Sequence, residues 1–422
     1  MLVVTSNWGI GDGSLGAGPE GGRGRAFAIA VQRAAARVGC RPDGSYRPVE
    51  RVDVVFAGDT FDWLVSRRWG DAIRPWDGGP EAAALRRAVA RASAARAWDT
   101  LHGLVKLVRS GLPVPAADAR GRPRADRVVR VPVGLLLLAG DRDPWIEQAG
   151  GRRLAARLGI AVGSGTGTGG VVIHHGHEAT AVDRSRPRVG PAGEVGPSLL
   201  DSVLVDLLVP FATAVISLPA GRLVRRLAAA ESPLDMPAVV AAALETPLAA
   251  AGTRAALVDA WRWAVDTWWK RARRLRPRSI APFDPLDALA TWLEAIDPRP
   301  DRPPSPWLEA VTGPPDPRAF TLAAEVVVLG HPVSRSPAPR VRCVALGPTP
   351  PGQGVATGGA TTVGGPGATR IVPGVAAFEP VRAVVLDGTS AASVVWALDG
   401  FDDPRQPLAT VGDGRGAPRE AA

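Results

Sequence analysis

The sequence predicts an α/β fold: a layered sheet flanked by helices, with a large helical segment set into it. Three observations carry this expectation. First, apolar runs long enough for buried strands stop abruptly at Gly followed by a polar donor. Val54–Ala57 precedes Gly58-Asp59, Leu135–Ala139 precedes Gly140-Asp141, and Val326–Leu329 precedes Gly330-His331. A strand covered on both faces reads as a continuous apolar run, and open α/β sheets bind ligands beyond the carboxyl ends of such strands. Second, stretches of helical composition at 26–38, 80–110 and 151–158 separate the strand candidates. Third, the alternation stops from 184 to 324, where Ala, Leu and Val recur at helical spacing over 197–230, 237–250 and 252–275.

Taken in order, residues 1–6 read as a first strand, followed by the Gly-rich turn Gly9–Ser14 and a loop to about Arg25. The helix at 26–38 leads to a strand at 52–57, and Pro80–Ser110 forms one long or two shorter helices on which His102 is a surface or packed histidine. The Arg/Pro/Ala-rich stretch 111–130 reads as a loop, and the apolar run 131–139 as a strand. After the helix at 151–158, a Gly/Ser/Thr hairpin at 163–170 precedes a strand at 171–173 and then His174-His175-Gly176-His177. Strand patterns return at 325–330 and 341–346, a Gly/Thr/Pro-rich loop spans 347–375, and short strands follow near 381–386 and 393–398. The predicted division is therefore a core in two parts, 1–183 and 325–400, a helical insertion at 184–324, and a flexible tail at 401–422.

Composition narrows the function classes. The net charge of +9 over 422 residues comes almost wholly from Arg, with Lys only at positions 106 and 270. The Arg residues are scattered without interleaved base-stacking aromatics, so they read as solvated faces and give no specific nucleic-acid signal. Cys40 and Cys343 do not make a disulfide framework or a metal knuckle. The start of the chain lacks a basic leader region, which predicts a cytoplasmic protein. The run Leu199–Leu218 approaches span length but contains Asp201, Asp206 and Pro210, so it reads as a buried helical hairpin rather than a transmembrane segment. The helix carrying Trp263, Trp268, Trp269, Lys270, Arg271 and Arg273 could alternatively lie on a membrane surface or a protein partner.

The donors form an ordered series: Ser6-Asn7-Trp8-Gly9, Gly58-Asp59-Thr60-Phe61-Asp62, Gly140-Asp141-Arg142-Asp143, His175-Gly176-His177 and Gly330-His331-Pro332-Val333. Carboxylates and imidazoles gathered from several strand ends suit a hydrolytic metal centre, in which two ions about 3.5–4 Å apart share a bridging carboxylate. The series resembles the calcineurin-like metallophosphoesterase superfamily, in particular its bacterial branch near the UDP-2,3-diacylglucosamine pyrophosphatases. The family's blocks are Asp-x-His, Gly-Asp-x-x-Asp, Gly-Asn-His-Asp/Glu, His and Gly-His-x-His, and the resemblance covers 1–183 and 325–400. It implies a β-sandwich flanked by helices.

The resemblance also assigns roles, and here the chain departs from the family. Asn7, Gly9 and Val333 stand where three of the four ligands of one metal are expected, so that site is expected to be lost. The other metal's positions fall on Asp59, Asp141, His175 and His331, all with donor atoms, which implies one divalent ion, Mn, Fe or Zn. Arg142 replaces the family's phosphate-facing His and, with His177, is the candidate for catalysis or phosphate binding. Arg stays protonated and cannot act as a general acid. The implied function is a metallophosphoesterase-like protein with a degraded centre, a weak or inactive hydrolase that binds a phosphorylated ligand or a partner. Two alternatives stand beside it: an active single-metal phosphoesterase or pyrophosphatase acting on a small or lipid-linked phosphate, and an interaction protein working through the helical insertion. Blander readings remain for the residues themselves. Asp59 and Asp62 could cap a helix, Asp141 and Asp143 could pair with Arg142, and His175 and His177 could only close strand-end hydrogen bonds.

Overall fold

A computed structural model describes residues 1–5, 8–15, 23–41, 43–70, 73–163, 166–168, 171–175, 188–189, 194–195, 197–218, 220–228, 235–245, 251–275, 285–296, 326–329, 342–345, 368–370, 383–387 and 394–397. Asn7, His177, His331 and Val333 lie outside the described residues.

The described strands are β1 (Leu2–Thr5), β2 (Val52–Ala57), β3 (Leu112–Ala117), β4 (Pro123–Val131), β5 (Val133–Leu138), β6 (Ala161–Gly163), β7 (Thr166–Thr168), β8 (Val171–His174), β9 (Arg188–Val189), β10 (Glu194–Val195), β11 (Val326–Leu329), β12 (Arg342–Ala345), β13 (Ala368–Arg370), β14 (Ala383–Asp387) and β15 (Val394–Ala397). Seven form one sheet in the order β13-β15-β14-β1-β2-β5-β6, in which β1, β2, β5 and β6 run parallel and β14 joins β1 antiparallel. A second sheet runs β12-β11-β8-β7, with β8 and β11 parallel neighbours. The mixed α/β class is therefore as expected from the sequence. The parallel strands β2 and β5 are apolar along most of their length, and the helices that accompany the sheet are α1 (Arg23–Val38), α2 (Gly79–Ser110) and α3 (Ala149–Arg157). On the α1 side, Trp8 packs edge-on against Phe27 at 5.3 Å and Phe56 at 5.5 Å, and its ring N–H donates to Thr5 Oγ1.

Two expected loops contain strands. Residues 111–130 form the hairpin β3–β4. Leu112 and Val114 face inward while Pro113 and Pro115 alternate outward, and that period-two pattern was masked by the prolines. The carbonyls of Pro113 and Pro115 accept from Gln32 Nε2 and the Tyr46 hydroxyl, which closes the outer edge of β3. Asp118 makes the turn by accepting from the N–H groups of Arg120 and Arg122. Likewise, Ala368–Arg370 within 347–375 is a strand at the edge of the seven-stranded sheet.

Between the parallel neighbours β8 and β11 lie the helices of the 184–324 segment. The first is α4 (Leu199–Ser202), which runs through a π-helical stretch, Val203–Leu208, into α5 (Val209–Ala214). Pro210 has no N–H for the Asp206 carbonyl, and just ahead of it Val209 N–H bonds five residues back to Leu204. Helices α6 (Gly221–Ala228), α7 (Met236–Leu244), α8 (Ala251–Leu275) and α9 (Pro285–Glu294) follow. Trp261 and Trp268, seven residues apart and so on one face of α8, are fully buried. Trp261 donates to the Leu293 carbonyl at 2.7 Å and Trp268 to Ser202 Oγ at 3.0 Å. Of the Trp cluster proposed for a membrane surface, Trp268 is therefore core and Trp263 is half exposed. Among the described residues, no helix is long and apolar enough to cross a membrane.

Candidate metal centre

The chain after β2 does not start a helix, so Asp59 and Asp62 are not helix caps. Gly58 at φ 88° and Asp59 at φ 51° turn the backbone sharply off the strand end. Asp59 is the one non-glycine residue with positive φ among the described residues, and Asp tolerates that region better than most. Such strain persists where the surroundings over-determine it, commonly at ligand sites. The turn aims the Asp59 carboxylate across to the end of β5, where its Oδ1 accepts from Arg142 N–H at 3.0 Å.

Three buried donors converge there. Asp59, Asp141 and His175 each offer a ligand atom, all within 4.8 Å of one another. His175 stands just past β8, so the second sheet brings its imidazole to the carboxyl ends of β2 and β5. Its Nδ1 is 2.8 Å from the Ala57 carbonyl, which can only accept, so the proton sits on Nδ1 and Nε2 faces the carboxylates. Nε2 lies 2.7 Å from Asp141 Oδ1 and 3.5 Å from Asp59 Oδ2. Without a metal, Nε2 also holds a proton and donates it to Asp141; once that proton leaves, the anchored imidazole turns a lone pair toward the two carboxylates, an arrangement that fits a divalent ion. No metal chemistry follows from a carboxylate cluster alone, but the two glycines make the packing specific. A Cβ on Gly58 would stand 2.1 Å from His175 Nδ1, and one on Gly140 would stand 2.0 Å from Asp59 Oδ1. The Gly of each Gly-Asp pair thus admits a ligand from another strand. Gly140→Ala, whose own backbone needs no positive φ, is expected to weaken Mn²⁺ binding by roughly tenfold, as the neighbour must shift by well over an ångström; calorimetric titration measures this directly.

The remaining candidates sort differently from the sequence expectation. Arg142 reaches two carboxylates of the preceding site loop. Its guanidinium lies 3.8 Å from Asp59 Oδ2 and 3.4 Å from Asp62 Oδ2. Asp143 instead clamps the two site loops together, accepting from Gly140 N–H at 2.7 Å and Phe61 N–H at 3.0 Å. Neither role was readable beforehand, although the repeated spacing Asp-x-x-Asp and Asp-x-Asp marked both residues. Around the site, Phe61, Trp63 and Trp145 stack with centroids 5.3 and 5.9 Å apart. Gly9, where the resemblance expects a metal-binding His, donates its N–H to the Asp59 carbonyl at 3.1 Å, and a Cβ there would meet nothing within 4 Å. His102, by contrast, is on the surface against Trp98.

No family model, curated protein or solved structure matches this chain. The electrostatics of the centre therefore rest on its own residues. Burial pushes Asp62 up to about 6, the Arg142 charge opposing it. Burial and the Asp59 charge push Asp143 to about 7. Burial pulls His175 down, but Asp59 and Asp141 outweigh it and raise the imidazole well above its usual value. All three groups hold their protons more tightly folded than unfolded. The stability they confer is complete below the unfolded values, near 3.8 for the two Asp and 6.5 for His175, and is lost as pH climbs through the folded ones. The melting temperature of the metal-free chain should accordingly fall between pH 5 and pH 8. Binding a cation requires the His175 proton to leave, so added Mn²⁺ should raise the melting temperature more at pH 8 than at pH 6.

Proposed function

We propose that this chain is a metallophosphoesterase-like protein with a single-ion centre, which binds a phosphorylated ligand and is weak or inactive as a hydrolase. The observation that supports this most is the convergence of Asp59, Asp141 and His175, with the imidazole tautomer set by the Ala57 carbonyl. His331 would complete the donor set. Mn, Fe and Zn all suit such mixed oxygen and nitrogen donors. A bound divalent ion would supply Lewis-acid polarisation of a phosphoryl oxygen.

The residues around it do the rest. Arg142, largely buried beside Asp59, offers a fixed cationic N–H array to phosphoryl oxygens. It cannot pass a proton to a leaving group, so hydrolysis lacks that assistance. Gly9, where the resemblance places a His ligand of the other ion, has no side chain to donate, which supports a one-ion rather than a two-ion centre. Metal analysis of the purified chain should find one ion per chain, with little or no turnover of bis-p-nitrophenyl phosphate. Two ions per chain with ready turnover would overturn the proposal. One ion with turnover that disappears in His175→Ala would favour an active single-metal phosphoesterase instead.

A further inference from the structure

Two groups approach the same oxygen of the Asp59 carboxylate: His175 Nε2 lies 3.5 Å from Oδ2 and Arg142 Nε 3.8 Å from it. In a two-ion centre the bridging carboxylate contacts a second cation as well as the first. Here the guanidinium is the cationic side chain that contacts it. Arg142 is itself held from behind by Asp62, a buried carboxylate whose Oδ2 takes the Nη1 contact at 3.4 Å and whose Oδ1 has no hydrogen-bond partner. A buried carboxylate so weakly hydrogen-bonded depends on a nearby charge for its compensation.

We infer that Arg142 is a built-in replacement for the second cation of the centre, and that Asp62 is the positioning residue that keeps the guanidinium shared between two carboxylates instead of fully engaged with Asp59. The inference rests on the single-ion reading above and adds what stands beside the one ion. A permanent monocation beside the bridging ligand lowers the negative charge of the pocket, holds a site for phosphoryl oxygens, and competes with a divalent ion for Asp59. Competition has a sign. Removing the guanidinium should strengthen binding of the one ion, whereas removing Asp62 should release Arg142 onto Asp59 and weaken it.

The backbone N–H of Arg142, not its side chain, makes the 3.0 Å bond to Asp59 Oδ1. Side-chain substitutions therefore leave that ligand held. The test is calorimetric titration of the metal-stripped full chain with Mn²⁺ at pH 8, with melting curves to show that each variant folds. The wild type should take one ion, Arg142→Gln should bind it roughly tenfold more tightly, and Arg142→Lys, which keeps the charge, should stay near wild type. Asp62→Asn should weaken binding about tenfold in the wild-type background and by much less in the Arg142→Gln background, since it acts through the guanidinium. Should Arg142→Gln bind Mn²⁺ no more tightly than a wild type that does take one ion, or should Asp62→Asn cost the same in both backgrounds, the inference is wrong while the single-ion reading survives. A wild type that takes up no Mn²⁺ would remove both.

Discussion

Asp59→Asn is expected to reduce Mn²⁺ affinity by on the order of 100-fold, the largest effect of any single substitution at the centre. The neutral amide keeps the size and one acceptor oxygen, so Arg142 N–H retains its partner and the turn at φ 51° remains tolerable for Asn. What disappears is the negative charge, which His175 Nε2 and the Arg142 guanidinium both face from within 4 Å. Stability should move in a way that separates ligand from scaffold. Without metal, the variant relieves repulsion among Asp59, Asp62, Asp141 and Asp143, and the pKa of Asp143 falls back because the Asp59 charge is one of the causes raising it. The relief is offset by the lost attraction to His175 and Arg142, so the metal-free variant should melt near the wild-type temperature and lose the stabilisation by added Mn²⁺ that wild type shows. A variant that melts lower without metal and still responds to Mn²⁺ would mean that Asp59 is a structural carboxylate. Asp143→Asn makes the useful contrast. Asp143 clamps Gly140 and Phe61 through both oxygens, so its loss should cost fold stability first and metal affinity as a consequence.

How much of this was legible in the sequence depends on the kind of signal. The parallel strands could be read because burial on both faces writes an apolar run directly, and the residue after each run could be read because a Gly-Asp step has few uses at a sheet edge. The partners could not. Nothing local to Asp62 says that a guanidinium arriving from the end of β5 will lie against it, and nothing local to Gly58 says that its missing Cβ makes room for an imidazole more than a hundred residues away. Those are properties of strand order, which places β2 beside β5 and brings the end of β8 across both. The hairpin at 112–131 failed for a different reason. Proline was read as a breaker, whereas at an outward edge position it costs no ladder bond and protects the edge. In the helical segment, Asp201, Asp206 and Pro210 argue against a membrane span, but the partner of the buried Asp206 is Arg74, far away in sequence.

That last pair carries the second large expectation. Asp206 sits in the π-helical turn with its side chain 3 % exposed, 2.5 Å from Arg74 Nε and 3.4 Å from Arg271 Nη1. Burial raises its pKa even against the pull of Arg74, and the charges that oppose that rise come from its two guanidinium partners. Arg74 is 12 % exposed and belongs to the loop after Trp69, so the pair ties the helical segment to the chain that follows the metal-centre turn. Removing one partner of a buried pair leaves the other charge unpaired, and Asp206→Ala should destabilise the fold by about 3–5 kcal/mol. Arg271→Ala should cost far less, roughly 1 kcal/mol or under, because Arg271 is more open to solvent and its contact is longer. Urea denaturation of the metal-free chain reads both. Nearly equal costs would show that Asp206 answers to Arg271 as much as to Arg74. A negligible cost for Asp206→Ala would show that the helical segment keeps its place without the junction charge. The melting response to Mn²⁺ adds the functional half of the question. If the junction holds the centre's turn in place, Asp206→Ala should blunt that response as well as lower the melting temperature, since Trp63 and Trp69, either side of that loop's start, both pack against Trp145 beyond Asp141.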